Sequence, residues 1–111
     1  MYFQRKRFNK FSNQRTEYNG IYYDSIKEAD YARELDLRVK AKDLKSWERQ
    51  VPLEFRINGQ KICTYKIDFV ETDMKDNQTY TEIKGFETPE WKLKWKIFDA
   101  LYPEYNKQVI K

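Results

Sequence analysis

Two alternating runs of apolar and polar residues, joined by a short turn, constrain the fold more than any other feature. Residues 51–57 place an apolar side chain at every second position, and residues 63–69 repeat the pattern after a turn at 58–60. Period-two alternation is typical of strands that bury one face. A three-residue turn would pair Val51 with Ile67 and keep both apolar faces on one side, whereas a two-residue turn would oppose apolar to polar residues. The pattern therefore predicts an antiparallel hairpin with a three-residue turn.

Turn and capping signals on either side of this hairpin predict the remaining elements. Asn-Gly marks a tight turn, Ser and Thr suit helix N-caps, and Pro suits the first position of a helix. The predicted elements are a small hairpin, a helix, a third strand of the sheet, a second helix and a last strand, at Thr16–Tyr23, Ser25–Lys42, Thr79–Lys84, Thr88–Tyr102 and Tyr105–Ile110. After the small hairpin the order is α-β-β-β-α-β, which predicts an α+β fold with helices flanking a mixed sheet.

The amino-acid composition excludes several classes of catalytic site. The 111 residues include no histidine, which removes imidazole bases, Ser-His and Cys-His nucleophile pairs and histidine-ligated zinc. Cys63 is the only cysteine, so an internal disulfide and a cysteine zinc cage are excluded as well. Any catalysis must therefore use carboxylates, lysines, hydroxyls and a hard metal ion held by oxygen atoms.

The positive charge of the chain is concentrated near its N-terminus. Residues 1–15 contain no acid and form a predicted basic arm that precedes a single domain over residues 16–111. The cations of the arm are Arg5, Lys6, Arg7, Lys10 and Arg15. Because the net charge of the whole chain is +4, the domain itself is close to neutral. An arm of cations and phenylalanines suits a phosphate backbone, since cations release counterions and rings stack on bases; a solvated terminus is the alternative.

The lengths of the predicted loops bring two acidic side chains together. A five-residue loop at 73–77 would pair Asp68 with Glu82 and Lys66 with Lys84 across two antiparallel strands. Directly opposed residues have Cβ atoms about 5 Å apart. Two carboxylates at that range repel each other unless a cation lies between them or one stays protonated. The alternatives are a solvated surface that carries chance acids and, for Glu82 and Lys84, a surface ion pair.

A third acid, Glu28, is predicted to face the same sheet. At about 100° per residue, the apolar residues Ala32, Leu35 and Val39 lie on the same side of the helix as Glu28. An acid on a buried stripe needs a partner, a proton or a metal ion. The alternative is that Glu28 only closes a capping box with Ser25.

This combination of residues resembles the PD-(D/E)XK nuclease superfamily. The matching elements are the helix-borne Glu28, then Ile67-Asp68, then Glu82-Ile83-Lys84, with Ile67 at the proline position of the motif. More narrowly, the runs at 23–29, 47–50, 67–69 and 82–86 resemble small phage-encoded endonucleases related to Holliday-junction resolvases. The resemblance implies a restriction-endonuclease-like αβββαβ core and a metal-dependent DNA endonuclease that acts on branched DNA.

The resemblance also implies roles for individual residues. Asp68, Glu82 and the backbone carbonyl of Ile83 would bind Mg²⁺, for which Mn²⁺ would substitute, because these hard ions prefer oxygen ligands. Glu28 would hold a second ion or a water of the metal site. Lys84 would orient the attacking water and help to deprotonate it, and the products would carry a 5′-phosphate and a 3′-hydroxyl. Gln50, opposite Asp68 in the predicted register, is an auxiliary candidate or an ordinary cross-strand amide.

DNA contacts and a symmetric assembly follow from the same resemblance. Cations of the arm, of both helices and of the strand that carries Asp68 would contact phosphates, namely Arg5, Lys6, Arg7, Lys10, Arg15, Lys27, Lys66, Lys92 and Lys96. Two symmetric cuts across a junction need two active sites, so we expect a homodimer. The alternatives are an enzyme that nicks duplex DNA or cuts single strands, and a catalytically inactive DNA-binding module of the same fold.

The sequence also indicates a location. It contains neither an apolar run long enough to span a membrane nor an apolar N-terminal stretch typical of a secretory signal. We therefore expect a soluble protein without a membrane partner, in the cytoplasm of a bacterial host cell if the chain is phage-encoded.

Overall fold

A computed structural model describes residues 15–111 and arranges them as strands and helices in the predicted order. The elements are β1 (Thr16–Tyr18), β2 (Ile21–Tyr23), α1 (Ile26–Lys40), β3 (Ser46–Ile57), β4 (Gln60–Thr72), β5 (Gln78–Ile83), α2 (Pro89–Leu101) and β6 (Asn106–Ile110). β1 and β2 form a separate ribbon, and the other strands form a sheet in the order β3-β4-β5-β6. β6 runs parallel to β5, while the other pairs are antiparallel. The predicted α+β fold with a mixed sheet is therefore confirmed.

Local chemistry explains where the helices begin and end. The Ser25 hydroxyl accepts a hydrogen bond from the backbone N–H of Glu28 at 3.1 Å, and the Thr88 hydroxyl accepts one from Trp91 N–H at 3.1 Å. Each cap satisfies a backbone donor that has no partner within its helix. α1 ends at Lys40, two residues before the predicted end, because Lys42 has a left-handed φ of 62° that a helix cannot include. Within residues 15–111, neither helix combines the length and apolar character needed to cross a membrane.

The β3–β4 hairpin has the predicted register but reaches it by a different route. Val51 pairs with Ile67 as predicted, yet Ile57 pairs with Gln60, so the turn has two residues. The register then shifts at a bulge next to Phe55. The prediction of a three-residue turn is therefore wrong. The extra residue of the bulge returns the strands to the alignment that a longer turn would have given.

The sheet is covered on both faces, and the strands change face near their middle. Ile67 packs in the cluster under α2, whereas Phe69 packs in the cluster under α1. The same change occurs on β3, where Trp47 joins the α1 cluster and Val51 joins the α2 cluster. The expectation that 63–69 keeps one apolar face is therefore wrong. Gln50 has a left-handed φ of 52° at this point, and such a residue breaks the alternation of side chains along a strand.

β4 and β5 pair in the predicted register only as far as the site. Val70 pairs with Tyr80 as predicted, and the last pair along the ladder is Phe69 with Thr81. Beyond it, the backbone N–H of Lys84 donates to the Ile110 carbonyl of β6 at 2.8 Å. Lys84 therefore follows β6, and the predicted pair of Lys66 with Lys84 is wrong. The two strands separate here.

Candidate active site

Asp68 and Glu82 lie next to each other where β4 and β5 separate. They occupy the position that follows the last pair of the ladder, Phe69 with Thr81. Asp68 is held by two donors: Ile83 N–H lies 2.9 Å from Oδ2, and Gln50 Nε2 lies 3.4 Å from Oδ1. The structure therefore places Gln50 beside Asp68, as the sequence predicts, and fixes the orientation of the Asp68 carboxylate.

Glu82 is the more deeply buried of the two acids. Only 3% of its surface is exposed. Its Oε2 lies 3.5 Å from Lys84 Nζ, while its Oε1 is buried and has no hydrogen-bond partner among residues 15–111. A buried carboxylate oxygen without a partner is costly. This oxygen is therefore left without a partner by the described part of the chain.

The electrostatics of the site leave its carboxyl groups short of positive charge. Burial, and next the charge of Asp68, raise the pKa of Glu82 to about 7. Burial also raises the pKa of Asp68, although Ile83 N–H and Lys84 oppose the shift. The pKa of Glu28 is raised to about 7 by burial, then by the charges of Asp68 and Asp24. Groups shifted in this way take up a cation or a proton readily.

Glu28 combines the two roles that the sequence leaves open. Its backbone N–H donates to Ser25, and its Oε1 accepts a hydrogen bond from the backbone N–H of Asp24 at 3.2 Å. It therefore caps α1, with Asp24 in place of Ser25 as the donor to its side chain. The same carboxyl group is also close enough to the sheet for the charge of Asp68 to raise its pKa.

The donor set of the site fits one hard divalent ion. Within the described chain, no three acidic or cysteine side chains are gathered into a group that could hold an ion, so Glu28 does not complete one with Asp68 and Glu82. Mg²⁺ does not need such a cage, because it is usually bound by one or two carboxylates and keeps several waters. Two adjacent carboxylates, one with an unpartnered buried oxygen, meet this requirement.

An open cavity of about 740 Å³ is lined by Glu28 and Lys84, whereas Asp68 and Glu82 are not among its lining residues. It lies between the first turn of α1 and the end of β5, and its lining includes Lys27, Glu28, Ile83, Lys84 and Phe86. The Phe86 side chain is among the large apolar groups exposed at the surface. The side chains of Lys84 and Glu28 are therefore accessible from solvent to an extended ligand.

The other predicted cationic contacts divide into three groups. Lys27 lines the cavity, whereas Lys92 is exposed on α2 and is not among the lining residues. Lys66 and Lys96 are exposed on β4 and α2, and the Arg15 guanidinium lies 5.2 Å from the ring centre of Tyr22. The remaining arm cations, Arg5, Lys6, Arg7 and Lys10, lie outside the described residues.

Sequence reasoning missed three side chains that contact or influence the site. Tyr65 is close enough to Glu82 to oppose the rise in the pKa of Glu82 that burial and the charge of Asp68 cause, and Trp91 donates its indole N–H to Tyr65 at 2.8 Å. Arg49 stacks on Tyr23 at 4.7 Å and lowers the pKa of Glu28. Tyr65 and Trp91 occupy apolar positions of a predicted strand and a predicted helix. Their spacing in the sequence therefore indicates core packing and does not indicate a role in the site. Arg49 carries the one available signal, a cation at an inward position of a strand.

Comparison with known proteins gives a family but no function. No protein of curated function and no solved structure matches the chain. Residues 8–111 match the family described as a protein of unknown function, DUF1064. Because the match covers nearly the whole sequence, the chain belongs to the DUF1064 family.

Proposed function

We propose that this chain is a metal-dependent DNA endonuclease that hydrolyses phosphodiester bonds, selects branched DNA and acts as a homodimer. The observation that carries the proposal is the half-buried Asp68 next to the buried Glu82, whose Oε2 lies 3.5 Å from the ammonium of Lys84, a residue that lines an open cavity. In this proposal the sheet and its two helices form a restriction-endonuclease-like core. Structural acids are usually satisfied by donors of their own protein, whereas Oε1 of Glu82 has no partner among residues 15–111.

Asp68, Glu82 and the Ile83 carbonyl would hold Mg²⁺ or Mn²⁺. When bound, the ion supplies positive charge that stabilises the ionised carboxylates and polarises a phosphate oxygen. The raised pKa values of the two acids support this assignment, because burial and mutual repulsion would both be offset by a cation. Hydrogen bonds from the Gln50 amide and the Ile83 N–H hold the Asp68 carboxylate in place.

Lys84 would position and activate the water that attacks the phosphate. Its side chain is one-quarter exposed, so its ammonium reaches the cavity while it contacts Glu82. It would orient a water for in-line attack, help to remove its proton and offset the negative charge of the transition state. The water oxygen bonds to phosphorus, the bond from phosphorus to the 3′ oxygen breaks, and that oxygen takes up a proton. The products are a 5′-phosphate and a 3′-hydroxyl.

DNA binding would use the cations around the cavity and on the arm. Lys27 lines the same cavity as Lys84, and Lys92 is exposed on α2, so the charge of both would contact phosphates of the bound DNA. The arm adds cations that would track the backbone without reading its sequence. A homodimer would supply the second active site that a symmetric cut across a junction requires.

A cleavage assay with labelled DNA tests the proposal. Purified protein is incubated with a four-way junction, a duplex and a single strand, in Mg²⁺ or in EDTA. We expect cleavage of the junction in Mg²⁺ only, lost in Asp68→Asn and in Lys84→Ala, with DNA binding largely kept by Lys84→Ala. The matched controls Asp30→Asn and Lys40→Ala change exposed residues of α1 and should cleave normally.

The same assay separates the competing functions. Cleavage in EDTA, or by Asp68→Asn, would reject the assigned site. If duplex or single-stranded DNA is cut faster than the junction, that DNA and not branched DNA is the preferred substrate. Binding to DNA with no cleavage in either Mg²⁺ or Mn²⁺ would identify a catalytically inactive binding module.

A further inference from the structure

Trp91 links α2 to the candidate active site through two different contacts. Its indole Nε1 donates to the Tyr65 hydroxyl at 2.8 Å, and both side chains are buried, with 8% and 6% of their surface exposed. The Lys84 ammonium lies 5.2 Å from the centre of the Trp91 ring. The Trp91 side chain therefore contacts both Tyr65 and Lys84, one through its N–H and the other through its ring face.

The first contact determines where the Tyr65 proton points. An indole N–H can only donate, so the Tyr65 oxygen must be the acceptor in the bond with Trp91. A tyrosine hydroxyl has a single proton, which is then left for another acceptor. Glu82 is the acid nearest in effect to this hydroxyl, since burial, and next the charge of Glu82, raise the pKa of Tyr65. Trp91 thereby directs the Tyr65 hydroxyl towards Glu82.

The second contact limits where the Lys84 ammonium can lie. A cation over an indole face is attracted by the electron-rich ring. The ammonium of Lys84 contacts both this face and Glu82, whose Oε2 is 3.5 Å away. A lysine side chain is long and flexible, so two partners restrict it far more than one does.

We propose that Trp91 is the positioning residue of the active site: its N–H orients Tyr65 against Glu82, and its ring face holds the ammonium of Lys84. This inference rests on the proposed function, since the positioned groups are those assigned to hydrolysis. Phenylalanine at 91 would keep the face and lose the donor, and leucine would lose both. A purely structural role would require only a large apolar side chain.

Kinetics of matched variants test the inference. Trp91→Phe and Tyr65→Phe should each lower kcat about tenfold, with KM nearly unchanged, because each removes the hydrogen bond between Trp91 and Tyr65 that orients the Tyr65 hydroxyl. The double variant should be no slower than either single variant, since both act on one path. Trp91→Leu should be slower again. Trp95→Phe is the control, because Trp95 packs on Trp91 and Phe98 and should keep normal kcat.

Two kinetic results would overturn the inference. One is a normal kcat in Trp91→Phe. The other is a double variant whose loss equals the product of the two single losses, which would mean that Trp91 and Tyr65 act independently. Thermal unfolding of each variant shows that it is folded.

Nuclear magnetic resonance tests the same contact without relying on cleavage. The three tryptophans give three indole N–H signals. Tyr65→Phe should move the Trp91 signal, and Mg²⁺ should move it more than that of Trp47, whose N–H is bound to Asp36. If the wild-type protein binds Mg²⁺ in this way but cleaves no DNA, the proposed function fails and the positioning contact stands. A Trp91 signal that responds to neither change would overturn the inference even in an active enzyme.

Discussion

Two acidic sites adjoin β4, one at Glu71 and one at Asp68 with its β5 neighbour Glu82, and they differ in how far the described chain satisfies their oxygen atoms. Glu71 is 4% exposed and accepts hydrogen bonds from the Tyr31 hydroxyl and, at 2.7 Å, from the Thr81 hydroxyl. The Arg38 guanidinium lies 3.7 Å from its other oxygen. Each Glu71 oxygen therefore has a partner within the chain.

The pair of Asp68 and Glu82, which starts three residues earlier on β4, is organised differently. Asp68 has two donors, but Glu82 keeps one buried oxygen without a partner in the described part of the chain, and the pKa of each acid is raised. Folding therefore satisfies one buried acid and leaves the other pair dependent on a further group. The comparison indicates that Glu71 stabilises the fold, and it supports the proposal that Asp68 and Glu82 bind a cation.

The largest expected effect is that substitution at one site lowers activity, whereas substitution at the other lowers stability. Asp68→Asn should lower Mg²⁺-dependent cleavage by a factor of about a thousand or more, because it removes a ligand and a charge at the reacting phosphate. Glu71→Gln should keep cleavage near normal and lower the free energy of unfolding by about 1–3 kcal/mol, since it weakens a buried network. Urea denaturation and initial cleavage rates measure both. Equal losses of activity in the two variants would remove the distinction.

A second effect is a fall in stability with rising pH in metal-free protein. The pKa of Glu82 is about 7 in the folded chain and about 4.5 when unfolded, so folding favours the protonated form. The contribution of this group is fully present below pH 4.5 and decreases up to pH 7, by on the order of 2–3 kcal/mol. Urea denaturation in EDTA between pH 4.5 and 8 measures the decline.

Two comparisons sharpen this pH prediction. Glu82→Gln should make the decline smaller, because residue 82 can no longer ionise, and the part that remains comes from Glu28, whose pKa burial and then the charges of Asp68 and Asp24 raise to about 7. Mg²⁺ should also reduce the decline by binding the charged carboxylates. A wild-type stability that rises between pH 4.5 and 7 in EDTA would contradict the assigned burial.

A smaller effect concerns the backbone beside Asp68. Gln50 has a φ of 52°, a conformation that glycine adopts without strain. Gln50→Gly should therefore raise stability by up to about 1 kcal/mol. It should lower cleavage, because the variant has no donor for Asp68 at this position. Asn58→Gly is the matched control, with a φ of 51° in the hairpin turn; it should leave cleavage unchanged. Equal cleavage by both variants would show that Gln50 serves only the bend in the sheet.

The smallest effect lies outside both acidic sites. Removal of residues 1–13 deletes Arg5, Lys6, Arg7 and Lys10 and should leave the stability of the domain unchanged. Fluorescence anisotropy with labelled DNA should show weaker binding and a less steep salt dependence, by about 0.9 for each phosphate that the arm neutralises in the full chain. An unchanged slope would remove the arm from the DNA interface.

Local signals predict the elements and most of the register. Ser25 and Thr88 cap the helices as expected, and the loop at 73–77 sets the pairing that brings Asp68 beside Glu82. These features depend on residues close together in the sequence, where turn length and capping chemistry act directly. The bulge near Phe55 and the left-handed Gln50 have no such signal, since neither residue type marks them.

The remaining parts of the site depend on distant segments. Lys84 leaves the β4–β5 ladder because its N–H bonds to Ile110, more than twenty residues later. Tyr65 and Trp91 look like ordinary core aromatics until the structure places their polar atoms together. The position of Glu28 around the helix predicts that it faces the sheet. The sequence does not show that the same side chain also accepts a hydrogen bond from the backbone N–H of Asp24 and so caps the helix.

The central claim is that Asp68 and Glu82 form a divalent-cation site, and calorimetric titration with Mn²⁺ tests it most directly. The wild-type protein and Glu71→Gln should each bind Mn²⁺ at this site, and Asp68→Asn and Glu82→Gln should not. A wild-type protein that binds no Mn²⁺, or an Asp68→Asn variant that binds it as tightly as wild type, would contradict the claim.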